Sequence, residues 1–99
     1  MTKQIYKFYT EWCAPCKAYA PVVAEVCKEL GIECISVDAG VDPTLAVKYG
    51  ITGVPSIVAG DHVITGMRTK TELKLELRRA GFGTPIEYPA EPVVEQPKT

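Results

Sequence analysis

The chain has 99 residues, enough for one compact domain that closes its core without a metal or disulfide staple. Apolar types make up 46% and charged types 23%, the balance of a soluble globular protein, which excludes a largely disordered chain. A formal net charge of -1 gives no attraction to phosphate backbones or anionic lipid, and no stretch approaches the roughly 18 apolar residues of a spanning helix, so neither nucleic acid nor membrane is an expected partner.

Met1 to Ile5 passes directly into a strand-like pattern, without the basic start, apolar stretch and small-residue cleavage site of a secretion signal. A reducing cytoplasm is therefore the expected setting, where disulfides are more often transient and catalytic than structural. Residues 4 to 10, rich in aromatic and β-branched types, predict a strand that ends in the turn at Glu11-Trp12-Cys13. From Ala14 to Leu30 the apolar positions Tyr19, Val22, Val23, Val26, Cys27 and Leu30 recur at helical spacing, and Gly31 supplies the stop. Pro21 predicts a kink within that helix.

Glu33 to Asp38 predicts a second strand, and Asp42-Pro43 a capped helix that runs through Tyr49 and closes at Gly50. Residues 55–59 and 62–66 predict an antiparallel hairpin across Gly60-Asp61. Thr69 to Glu72 has capping-box spacing ahead of Leu73, Leu75 and Leu77, and Gly81 ends this last helix. The order is β-α-β-α-β-β-α, an α/β arrangement. After Gly83, Pro85, Pro89, Pro92 and Pro97 break every period, so a domain over 1–83 and an extended or disordered tail over 84–99 are expected.

Cys13 and Cys16, two residues apart at the strand-to-helix junction, carry the chemistry. The first thiol of such a pair stands beside the unpaired N–H groups and positive dipole end of the helix. Its pKa, about 8.5 when free, falls there to about 7 or lower, which populates a thiolate at neutral pH. Cys13 is thus the nucleophile, and Cys16, nearly one turn on and pointing inward, is the resolving thiol. A zinc site built from all four cysteines is the competing chemistry. The ten residues between Cys16 and Cys27 and the six between Cys27 and Cys34 fit none of the usual ligand spacings, so no metal is expected. Cys27, on the apolar stripe, and Cys34, in the second strand, read as buried packing residues. His62, alone near the hairpin turn, reads as structural or solvated.

Trp12-Cys13-Ala14-Pro15-Cys16-Lys17, with Tyr49-Gly50-Ile51-Thr52-Gly53-Val54-Pro55-Ser56 further on, resembles the thioredoxin family over residues 3–81. The resemblance implies a three-layer sandwich with a four-stranded mixed sheet in the order 2-1-3-4. It also implies that Trp12 packs beside the redox pair, that Pro15 sets the helix start, and that Val54-Pro55 holds a cis peptide facing the cysteines. Trp12, Ala14, Pro15, Val54, Pro55 and Gly66 would then contact substrate, the Val54 backbone pairing with an extended segment as an added strand.

Three departures from the family pattern stand out. The sequence opens on the strand that leads to the cysteine pair, so a core of glutaredoxin size without the family's first strand and helix is expected, and the hairpin at Gly60-Asp61 is short. Where larger members hold a buried carboxylate six residues before the first cysteine, this chain has Lys7, and Cys34 occupies the place of that acid's lysine partner. Glu11 or water is left to take the Cys16 proton. A charged Lys7, with Lys17 adding slight positive potential, would favour the thiolates, unless Lys7 only lays its stem over the core and keeps its charge in water.

The expected activity is reduction of protein disulfides by a monomer with no bound cofactor. Electrons would come from a separate thioredoxin-reductase-type protein, an NADPH-dependent flavoprotein. The alternatives are a glutaredoxin-like reductase recharged by glutathione, and a binding module of this fold in which redox chemistry is incidental.

Overall fold

A computed structural model describes residues 3–82, so the expected tail over 84–99 and the boundary at 83 lie outside the described residues. The elements are β1 (Gln4–Tyr9), α1 (Ala14–Leu30), β2 (Glu33–Asp38), α2 (Thr44–Lys48), β3 (Ser56–Ala59), β4 (His62–Thr65) and α3 (Lys70–Arg79). This is the succession read from the sequence, with small corrections at the ends. α2 is one residue shorter at each end than 43–49. Pro43 has helical dihedrals but no N–H, and the first amide bonded back is that of Val47, to the Pro43 carbonyl at 2.9 Å. The Asp42 carboxylate still caps this start, accepting the Thr44 N–H at 3.1 Å. α1 runs unbroken through Pro21.

β1 lies between β2, parallel to it, and β3, antiparallel, with β4 beyond, giving the order β2-β1-β3-β4. The parallel pair requires a crossover, and α1 is that crossover. Strand alternation then sorts the core into two faces. Ile5, Ile57 and Ile64 pack with Tyr19, Val23 and Val26 of α1 and Leu73 and Leu77 of α3. Phe8 and Val58 pack on the other side with Ala46 of α2. Two helices, a sheet and a further helix make the three layers.

α1 stops because Gly31 takes φ +69°, a left-handed conformation that costs other residues, and the Ile32 N–H closes onto the Cys27 carbonyl at 2.9 Å. The same closure recurs after α2 and α3, where the amides of Ile51 and Phe82 each bond back to Ala46 and Leu77 at 2.8 Å. At its start α3 carries the full capping box: Glu72 N–H donates to Thr69 Oγ1 at 3.2 Å and Thr69 N–H to Glu72 Oε1 at 2.9 Å.

Candidate functional site

The chain leaves β1 at Tyr9 and turns so that the Cys13 N–H meets the Thr10 carbonyl at 3.3 Å. Cys13 is the N-cap of α1, in the extended region, and its Sγ accepts the Cys16 N–H at 3.1 Å. A sulfur here takes the place that a serine or aspartate oxygen holds at other helix starts. Pro15 falls in the first turn, where its missing N–H would have had no helical partner. The first turn holds no acidic residue to compete for the positive end of the helix. Cys13 and Cys16 are joined in a disulfide, with Cα atoms 5.2 Å apart. The two sulfurs are unequal: Cys13 is half-buried at the surface, Cys16 only 5% exposed.

Beside Cys16, between the start of α1 and the β1–β2 half of the sheet, lies a cleft of about 410 Å³. Lys7, Glu11, Lys17, Ser36 and Asp38 line it. Ser36 and Asp38 are there because the parallel register sets them opposite Lys7 and Tyr9. Neither was singled out from the sequence; the available signal was the alternation of the second strand once its pairing with the first is assumed. Asp38 also shapes the rim, its Oδ1 accepting the amides of Gly40 at 2.9 Å and Val41 at 3.3 Å.

A second loop reaches the same end of the sheet. Phe8 pairs with Ser56, so Pro55, one step before β3, lies beside the end of β1 from which the chain passes to Cys13. The Val54-Pro55 bond is cis. Ser56, buried, donates its hydroxyl to the Gly53 carbonyl at 2.7 Å, and the Gly66 N–H donates to the Pro55 carbonyl at 2.9 Å. These bonds bring Val54, Pro55 and Gly66 together.

The family profile described as Thioredoxin matches residues 2–79. The chain belongs to the thioredoxin family. Similar proteins include a thioredoxin of Bacillus subtilis, 31% identical over 70% of this chain and 71% of that protein. Another is a thioredoxin of Pyropia yezoensis, 35% identical, with 59% of each chain covered. An M-type chloroplastic thioredoxin of Pisum sativum is 34% identical over 58% of this chain but only 34% of its own length. The chain thus spans about a third to three-fifths of the length of these last two relatives. Among solved structures, a thioredoxin mutant from Halobacterium salinarum superposes with a TM-score of 0.70 at 25% identity, covering 83% of this chain and 77% of that one. Fasciola hepatica thioredoxin gives 0.66 at 26%, covering 78% and 79%.

Within this thioredoxin fold, one expected contact is corrected: Trp12 does not pack beside the redox pair but stands 86% exposed. It sits in a turn before α1, and no described segment covers it. Lys7 is half-buried and shares the cleft with Cys16, and Lys17 is exposed at its rim. Cys27 is buried as expected, but Cys34 is only half-buried, packed against the core cluster that contains Cys27. His62 lies on the surface, its Nε2 3.7 Å from Glu76, which also binds Arg68 at 2.5 Å. Among the described residues no three His, Cys, Asp or Glu side chains gather as a metal site, and no helix is long and apolar enough to cross a membrane.

Proposed function

We propose that this chain is a thiol–disulfide oxidoreductase that reduces protein disulfides by dithiol exchange. The observation that carries the proposal is the inequality of the two sulfurs: Cys13 at the surface, capping α1 and accepting a backbone N–H, with Cys16 shielded one turn behind it. In the reduced protein the Cys13 thiolate attacks one sulfur of a substrate disulfide. The S–S bond breaks, a mixed disulfide forms, and one substrate thiolate leaves and takes a proton from water. Cys16 then gives up its proton and attacks Cys13 Sγ, releasing the second substrate thiolate and restoring the Cys13–Cys16 disulfide. Two electrons pass to the substrate.

Trp12, Ala14 and Pro15 around the nucleophile, with Val54, Pro55 and Gly66 in the neighbouring loops, form the substrate contact surface. Exposed Trp12 supplies apolar area, and the Val54 backbone supplies strand-like pairing. Lys7 and Lys17 raise the positive potential around the thiolates, and Asp38 or Glu11, in the same cleft, takes the Cys16 proton. No bound cofactor enters any step. A separate NADPH-dependent flavoprotein of the thioredoxin-reductase type returns the electrons, and the protein works as a cytoplasmic monomer on disulfide-containing proteins.

The test is insulin disulfide reduction. Cys13→Ser is expected to leave only background turnover, and Cys16→Ser to accumulate a covalent mixed disulfide with substrate that dithiothreitol releases. A double serine variant that loses insulin reduction but keeps the protein's function in the cell would mean that the fold acts as a binding module. Recharging by glutathione and not by the flavoprotein would move the activity to the glutaredoxin class.

A further inference from the structure

Two thiols take no part in the exchange proposed above. Cys27 lies on the buried stripe of α1, 4% exposed, and Cys34 lies half-buried on β2, a strand at the edge of the described sheet. The Gly31 turn brings them together. With the Ile32 N–H closed onto the Cys27 carbonyl at 2.9 Å the chain reverses, and Cys34, two positions after buried Ile32, points to the same side and packs against α1. Cys34 packs against the core cluster that contains Cys27, and each thiol is the leading influence on the other's ionisation. The Cys34 thiol, then burial, holds the Cys27 proton on; the Cys27 thiol, helped by the Lys7 ammonium, draws Cys34 below the ordinary thiol value against the opposing effect of burial. Cys34 is the more exposed and more acidic sulfur, in a locally positive setting, which is the environment of a reactive cysteine.

We propose that Cys27 and Cys34 form a second dithiol centre, oxidised by hydroperoxides to an intramolecular disulfide at the end of α1 remote from Cys13 and Cys16. The Cys34 thiolate attacks one oxygen of hydrogen peroxide, the O–O bond breaks, and hydroxide leaves and is protonated to water, which makes Cys34 a sulfenic acid. The Cys27 sulfur attacks that sulfur, the S–S bond forms, the S–O bond breaks, and the departing oxygen carries off the Cys27 proton in a second water. Two electrons pass from the thiols to the peroxide, giving one disulfide and two waters. Cys27 lies eleven positions beyond Cys16 along α1, roughly 16 Å at 1.5 Å per residue, so the two pairs do not exchange within one molecule. The second centre therefore stands or falls independently of protein-disulfide reduction at the first.

The experiment uses the full chain carrying Cys13→Ser and Cys16→Ser, fully reduced, titrated with hydrogen peroxide and quenched by alkylation. Both thiols are expected to disappear together, with the mass falling by two hydrogens and the protein remaining monomeric. Trypsin cuts after Lys28, so the disulfide would appear as peptide 18–28 linked to peptide 29–48, and dithiothreitol would separate them. Cys34→Ala in the same background should leave Cys27 as a free, alkylatable thiol. Oxygen added to Cys34 while Cys27 stays free, a dimer linked through Cys34, or two unmodified thiols would each overturn the proposal. Should the serine variant not fold, the reduced natural chain serves under the same titration: it must yield the linked 18–28 and 29–48 peptides besides the Cys13–Cys16 bond, and recovery of the latter alone decides against the second centre.

Discussion

Cys13, Cys16, Cys27 and Cys34 share one side chain and have four different surroundings, and α1 with its two flanking strands sets the differences. Cys13 caps the helix, Cys16 is folded under its first turn, Cys27 is sealed into the core, and Cys34 leans on Cys27 from the edge of the sheet. Lys7 is the charge that bears on both ends of this arrangement. It lines the cleft with Cys16, and its ammonium favours the thiolate at Cys34. Lys7→Met, which keeps the apolar stem and removes the charge, is expected to raise the alkylation pKa of Cys13 in the reduced protein by about half a unit, as loss of a partly screened cation should. Iodoacetamide labelling followed across pH reads this directly. An unchanged Cys13 profile would confine the influence of Lys7 to Cys34. The role of Cys13 was legible in the sequence because a Cys-X-X-Cys pair at a helix start is a local signal. The Cys27–Cys34 contact and the presence of Asp38 and Ser36 beside Cys16 were not, because both depend on a strand register that no local pattern encodes.

The elements whose ends were legible are those stopped by a single residue with a backbone reason: Gly31 after α1, Gly60 in the hairpin, Thr69 before α3. α2 is one residue shorter at each end than the sequence predicts because Pro43, whose carbonyl accepts the first helical bond from Val47, is the N-cap and Tyr49 the C-cap. What the sequence could not give was the lateral contact between α1 and α3. Lys70 reaches Glu29 at 2.6 Å and Glu25 at 3.2 Å, and Lys74 also pairs with Glu29. Hydrogen bonding to Lys70, then to Lys74, holds the Glu29 carboxyl down to about 2 from the usual 4.5. A carboxyl depressed in the folded state contributes stability above its unfolded pKa and loses it as the pH falls through the folded one, so this contribution is full above pH 4.5 and gone near pH 2. Glu29→Gln should therefore have a lower urea midpoint than the natural chain near neutrality, and the two should converge in acid. The pair is solvent-exposed, so added salt should narrow the difference as well.

At the scale of the whole molecule the sheet divides two cores that serve different ends. The face toward α1 and α3 holds most of the buried apolar residues, while the smaller face packs Phe8, Ala46 and Val58 with Ile51 and Val54, the residues that support the Val54-Pro55 loop. Leu73 and Phe8 are both fully buried, and truncating either to alanine should cost roughly 2–5 kcal/mol by lost burial and an unfilled cavity. A domain this small unfolds as one unit, so denaturant titration should show a single transition in both variants. Activity should separate them. Leu73→Ala removes support from α3, away from both active-site loops, and the folded fraction should keep its KM for a protein disulfide. Phe8→Ala opens a cavity beneath Val54 and loosens the segment proposed to pair with substrate, so its KM should rise several-fold while the Cys13 thiolate titrates as before. Equal KM values at matched folded fraction would show that the cis-proline loop is held by its own bonds, Ser56 to Gly53 and Gly66 to Pro55, and needs nothing from the core beneath it.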